Sequence, residues 1–365
     1  MRTLMKLAAL LALVFATASV PAAARLSVPA TAGPSLASIG PLAFGPDGTM
    51  YAADTQAATI FAIDLGAQAS GPIAGAASVP NIDQKVAALL GTAADQITIA
   101  DLAVHPKSHN AFLAVMRGQG AGAQAVLVRV DGAGKLDVVS TEAMTFKSVA
   151  LPNPVAATTT GRSNRSQSVT DMAVADNRLW IAGLSNEEFS SKLWSVPLPL
   201  AAADRGASVE IWHGSHGRLE TNAPVYTFVP KVVDGKASLI AGYLCTPLVR
   251  FPISDLKPGD KVRGTTIAEF GAGNRPLDMI LYTKGGKEYL LVSNTSHGVL
   301  KVATETFGTA SPITQPVPGG GAAGVPFEKI ASMQGVVQLD KLDDTHSIVI
   351  SRAGANMNLE ALILP

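Results

Sequence analysis

A six-bladed β-propeller is the fold this sequence predicts, and three observations predict it. A pattern of short apolar strands recurs six times, with starts at residues 41, 101, 171, 224, 278 and 335. Turn chemistry falls inside the copies: Pro46-Asp-Gly48, Asp234-Gly235 and Lys284-Gly-Gly286 each lie between a first and a second strand, where hairpin loops belong. The strands are apolar at successive as well as alternate positions, so both faces are buried, as happens when each sheet stands between two others. One sheet alone leaves its apolar faces wet; closing the ring supplies the burial, and the six copies are expected to fold together. A pair of β-sandwiches is the competing arrangement, but sandwiches lack a fixed repeat of this length.

Each copy contributes at least three strands. The first runs through 41–44, 50–53 and 60–64, the second through 101–104, 111–115 and 126–131, and the third through 171–174, 179–182 and 193–196. The fourth uses 224–228, 239–242 and 248–251, the fifth 278–281, 289–292 and 299–302, and the sixth 335–339, 347–350 and 359–362. Three segments interrupt the pattern. Residues 81–91 read as a short helix: Ile82, Val86, Leu89 and Leu90 form one apolar stripe, Asn81 and Gln84 stand at capping positions, and Gly91 ends it. Residues 151–168 and the Pro- and Gly-rich 311–325 read as irregular loops. All three lie between copies, which places them on the face where one blade hands over to the next. Loops on a rigid scaffold are where binding concentrates.

Composition narrows the function. The 365 residues carry 28 Lys+Arg against 28 Asp+Glu, so the chain lacks the positive field of a nucleic-acid binder. One Cys excludes an internal disulfide framework, a Cys-rich zinc module and a c-type haem. At the N-terminus, Arg2 and Lys6 precede the apolar run Leu7 to Ser19 and the small residues Ala22, Ala23 and Ala24. That is the pattern of a secretory leader over residues 1–24, leaving 25–365 as one propeller domain in the periplasm or medium. No other stretch is long enough and apolar enough to enter a membrane.

Candidate chemistry falls in two groups. The first is at the channel: Asp101, Asp171 and Asp278 open the innermost strands of copies two, three and five, with Arg275 beside them. Convergent carboxylates repel unless a cation, an Arg or a proton neutralises them. They either pin turns by accepting backbone N–H bonds or offer oxygen ligands to an ion such as Ca²⁺. Glu187 and Asn294, at turns on the same face, join this mouth as candidate ligand-binding residues. The second group is His213-Gly-Ser-His216-Gly-Arg-Leu-Glu220, which crowds zinc- or copper-type ligands into eight positions. Its two glycines argue for a loop, and its polar residues serve equally as caps and turns. Cys245 reads as a buried, inert thiol, or else as a thiol ligand or half of an intermolecular disulfide.

Gly40-Pro-Leu-Ala-Phe-Gly-Pro-Asp-Gly-Thr-Met-Tyr-Ala-Ala-Asp54 resembles a blade of the six-bladed, calcium-dependent lactonases of the gluconolactonase type, and of bacterial extracellular propellers more widely. That resemblance implies a metal-binding Glu before the Gly-Pro of the first blade, where this chain has Ile39; it carries over only Asp171 as a metal ligand. Ala182 to Phe189, Cys245 to Val249 and Asn274 to Met279 look like segments of a group of secreted bacterial propellers, which implies fold and compartment but no reaction. No nucleophile elbow, Walker loop or dinucleotide fingerprint appears in a strand–helix context. The expectation is therefore an exported scaffold that binds a protein partner or a small ligand on the crossover face. The alternative is a metal-dependent, lactonase-like hydrolase at the channel mouth, with Ca²⁺ or Zn²⁺ as its candidate cofactor.

Overall fold

In the computed structural model, six antiparallel sheets stand around one channel; it describes residues 33–70, 78–142, 144–157 and 164–365. The leader expected at residues 1–24 lies outside the described residues. Blade I begins with Leu42–Phe44 (β1), Met50–Asp54 (β2) and Thr59–Ile63 (β3). The chain then makes Ser78–Val79 (β4) and the helix Ile82–Leu89 (α1) before blade II: Ile97–Val104 (β5), Ala111–Arg117 (β6), Gln124–Val130 (β7) and Leu136–Val138 (β8). Phe146–Ala150 (β9) follows. Blade III holds Asp171–Ala175 (β10), Arg178–Leu184 (β11), Ser191–Pro197 (β12) and Ala207–His213 (β13), from which Arg218–Glu220 (β14) turns back as a hairpin. Blade IV holds Val225–Val233 (β15), Lys236–Tyr243 (β16), Pro247–Pro252 (β17) and Thr265–Phe270 (β19), and between the last two the chain makes Lys261–Arg263 (β18) outside this sheet. Blade V holds Pro276–Lys284 (β20), Lys287–Asn294 (β21), Gly298–Ala303 (β22) and Phe327–Lys329 (β24), and between the last two the chain makes Ala322–Gly324 (β23) outside this sheet. Blade VI holds Val336–Lys341 (β25), His346–Ala353 (β26) and Asn356–Ile363 (β27).

Sequence alternation explains how each blade is buried twice. In β2, Met50 and Ala52 pack toward blade II while Tyr51 and Ala53 pack toward blade III. Six apolar clusters result, one at every blade interface. Two-residue hairpins close the first turn of several blades with both central residues at positive φ: Asp176 and Asn177, Asp234 and Gly235, Gly285 and Gly286. That conformation matches the right-handed twist of the flanking strands.

The order around the ring departs from the order along the chain. β1 lies between β5 and β10, and β5 lies between β1 and β25, so the circle runs II, I, III, IV, V, VI. Blades I and II have exchanged places. The outer strand of blade I is β9, made only after blade II is complete, and the outer strand of blade VI is β4, made before blade II begins. Further straps tie later blades: β18 joins β13 of blade III in parallel, and β23 adds to β19 of blade IV.

Two local expectations need correction. Asn81 does not cap α1 with its side chain; it is left-handed at φ 53°, and its N–H donates to Asn358 Oδ1. Gln84 reaches Asn356 instead of completing a capping box, so the helix is oriented by the β26–β27 turn. Residues 311–325 are not wholly irregular, because β23 lies within them. Among the described residues no helix is long and apolar enough to cross a membrane.

Candidate functional site

Four carboxylates line the channel. Asp101 Oδ2 accepts the N–H of Leu42, Asp171 Oδ2 that of Phe228, Asp278 Oδ2 that of Leu339, and Asp340 Oδ2 that of Val104, at 2.6 to 2.8 Å. Each bond crosses from one blade to its neighbour. The second oxygen of Asp171, Asp278 and Asp340 accepts the next residue's own N–H. Burial raises all four pKa values, pushing Asp101 up to about 8, Asp171 to about 7 and Asp340 to about 6, with Asp278 well above its ordinary range. Charge repulsion among the acids adds to the effect for Asp101 and Asp278, while the backbone N–H groups oppose it.

This donor set does not fit the Ca²⁺ cage that the gluconolactonase resemblance implies. A Ca²⁺ ion takes six to eight oxygens; the channel lining beyond the four acids is apolar side chains and Lys341. Ile39, standing where that family has its metal-binding Glu, is packed in the core between blades I and II. The channel acids act as clasps between blades, and no hydrolytic step follows from them.

Other expected residues separate. Glu187 accepts from Lys192 Nζ at 2.8 Å and from Asn153, away from the channel lining. Asn294 is buried; it donates to Val292 and Gly298 carbonyls and accepts from Asn274, holding the β21–β22 turn. Its outer edge still lines a cavity of about 610 Å³ between blades V and VI. Arg275, Arg352 and His297 line the same cavity with Gln334, Gln338 and Ser296, and no carboxylate does. Arg275 lies over the Tyr226 ring, and neither Arg has an ion-pair partner among the described residues. Burial, with help from Lys329, lowers the His297 pKa, so at neutral pH its ring is an uncharged hydrogen-bonding group. A more apolar cavity of about 780 Å³ opens between blades I and III beside the β1–β2 and β10–β11 turns.

The histidine segment is not a free loop. The β13–β14 hairpin pairs His213 with Arg218 and Ile211 with Glu220. Glu269, buried at the end of β19, accepts from Gly214 N at 2.6 Å and from Ser215 Oγ at 3.0 Å, fixing the turn. Residues 313–317 cover it, with Val317 N bonded to Gly214 O. A Cβ on Gly214 would stand 2.7 Å from Val317, so that cover needs glycine there.

Within this frame Glu220 accepts from both imidazoles. His213 Nδ1 lies 2.8 Å from Oε2 and His216 Nδ1 2.7 Å from Oε1, and the two rings lie against each other, tilted by 34° with centroids 3.8 Å apart. Burial works against the Glu220 charge, but the bonds from His213, His216 and Arg218 outweigh it and lower its pKa. Cys245, on the β16–β17 turn of blade IV, completes the group: one ligand atom from each of His213, His216 and Cys245 falls within 4.8 Å of the others. Cys245 and Thr246 are both at positive φ, 59° and 65°, a costly conformation for a β-branched residue. Sequence reading noted Cys245 but did not join it to the histidines.

No family profile matches the chain, and no curated protein does. Among solved structures, the PQQ-bound form of the aldose sugar dehydrogenase from Streptomyces coelicolor is similar at 12% identity, covering 92% of this chain and 97% of that one with a TM-score of 0.31. The hydrazine synthase of Kuenenia stuttgartiensis is similar at 10% identity, over 88% and 76%, with a TM-score of 0.33. The assignment of this chain as a six-bladed propeller rests on its own strand ladders.

Proposed function

We propose that this is an exported binding propeller that takes a small anionic ligand in the cavity between blades V and VI. The observation carrying the proposal is that Arg275 and Arg352, both without an ion pair among the described residues, share a cavity of about 610 Å³ that has no acidic side chain. A guanidinium offers a planar fork to a carboxylate or phosphate, and Gln334, Gln338, Ser296 and neutral His297 supply uncharged hydrogen-bond partners around it. The cavity is of the size that small-molecule sites occupy. Residues 1–24 would deliver the chain out of the cytoplasm.

Calorimetric titration with citrate, inorganic phosphate and glucose separates the outcomes. Saturable binding of citrate or phosphate, lost in the Arg275→Ala/Arg352→Ala double variant and absent for glucose, is the expected result. Absence of saturable anion binding, or binding that survives the double substitution, removes the proposal.

A further inference from the structure

The hairpin of blade III and the turn of blade IV meet around an unused nitrogen. His213 is 1% exposed, its Nδ1 is held by Glu220, and its Nε2 is buried with no hydrogen-bond partner. Leaving such an atom unmatched costs about 1–3 kcal/mol, so a position of this kind needs a reason. Because a carboxylate can only accept, both imidazoles carry a proton on Nδ1, which leaves Nε2 as the nitrogen through which either ring can bind an ion. One ring nitrogen of each histidine lies within 4.8 Å of the other and of the Cys245 sulfur, and with Nδ1 held by Glu220 the Nε2 atoms are the ones free to bind.

We propose that His213 Nε2, His216 Nε2 and Cys245 Sγ bind one late transition-metal ion of borderline to soft character, zinc or copper. Two imidazoles and one thiolate are the donor set these ions prefer over the hard Ca²⁺ and Mg²⁺. Glu220 supplies the outer partner that metal-binding histidines characteristically have, here one carboxylate serving both rings. Glu269, Val317 and the closed hairpin hold the histidines in place before any ion arrives. A ring nitrogen of each histidine and the Cys245 sulfur are already within 4.8 Å of one another, so metal–ligand bonds of roughly 2.0–2.3 Å need only local side-chain adjustment. His216 and Cys245 are partly open to solvent, which leaves the fourth position to water or an incoming ligand. Two histidines rather than one face the thiol, which favours an ion over a Cys–His nucleophile pair.

The test uses full-length protein freed of metal by chelator and titrated under reducing, oxygen-free conditions with Zn²⁺ or Cu⁺. One equivalent of either ion should bind, protect Cys245 from alkylation and raise the melting temperature; as Cys245 is the single cysteine, the thiol readout is unambiguous. The arm that binds more tightly identifies the ion. Cys245→Ser and His216→Ala should abolish stoichiometric binding while the apo proteins melt as the parent does, and Glu220→Gln should weaken binding roughly 10- to 100-fold. The proposal is overturned if neither ion binds stoichiometrically, if Cys245→Ser binds as well as the parent, or if Cys245 alkylates rapidly at neutral pH whether metal is present or not. The last result would instead mark a thiol nucleophile.

Discussion

Asp101 shows how much a single side chain depends on the ring around it. Its carboxyl is higher in pKa when folded than the ordinary 3.8, as are those of Asp171, Asp278 and Asp340. Between about pH 4 and pH 8 the native chain therefore binds more protons than the unfolded one, and stability falls as pH rises through that window. Glu187 and Glu220 act in the opposite sense: their lowered values contribute stability that is lost only as pH falls through them. The melting temperature should peak near about pH 5 and decline toward pH 8, and Asp101→Asn should flatten the decline. A melting temperature that climbs steadily from pH 5 to 8 would refute this account. Lys192 gives a second expectation. Its side chain is 2% exposed and paired with Glu187, so Glu187→Ala should cost about 3 kcal/mol in urea unfolding by stranding a buried ammonium. Glu187→Leu with Lys192→Met should recover most of that loss. The channel acids at 101, 171 and 278 were legible because each heads an apolar run, Asp-Leu-Ala-Val, Asp-Met-Ala-Val and Asp-Met-Ile-Leu, although β5 and β20 begin before their acids. Asp340 was not: it lies deeper, in a strand whose register shifts between Val336 and Gln338, so aligning the sixth copy on Gly335 passed over it. Cys245 escaped for another reason. Thirty-odd residues and a blade boundary separate it from His213, and only tertiary packing makes them neighbours.

At the level of strands, alternation and turn residues announced the three inner strands of every blade. Outer strands were harder to read because they are short, such as the two-residue β4, and polar, such as β9 with Lys147 and Ser148. Their places come from pairing, not from pattern. β9 belongs to blade I although blade II intervenes, which yields a direct test. A protease site engineered in place of residues 140–142 lets the chain be cut between β8 and β9. Both fragments then contribute strands to blade I through the five paired positions from Thr59–Ala150 to Ile63–Phe146. The cut protein should run as one species on a native gel and separate only in denaturant; separation without denaturant would show that the shared blade does not hold.

For the whole molecule, each of the six apolar clusters is shared by two blades, so losing one blade exposes two interfaces. A single cooperative transition is expected, with intrinsic tryptophan fluorescence and far-ultraviolet dichroism melting together. Trp180 and Trp194 report on blade III, whereas dichroism reports on all sheets. Two separate transitions would mean that part of the circle opens alone. The exchange of blades I and II has a bearing on how the molecule comes into being. Ser78–Val79, made before blade II, finds its strand partner in Asn356–Ile363, made after all the other blades. No chain that stops short of Asn356–Ile363 can own a finished sixth blade. Until that strand is made, Ser78–Val79 has no edge to join and the circle stays unfinished at blade VI.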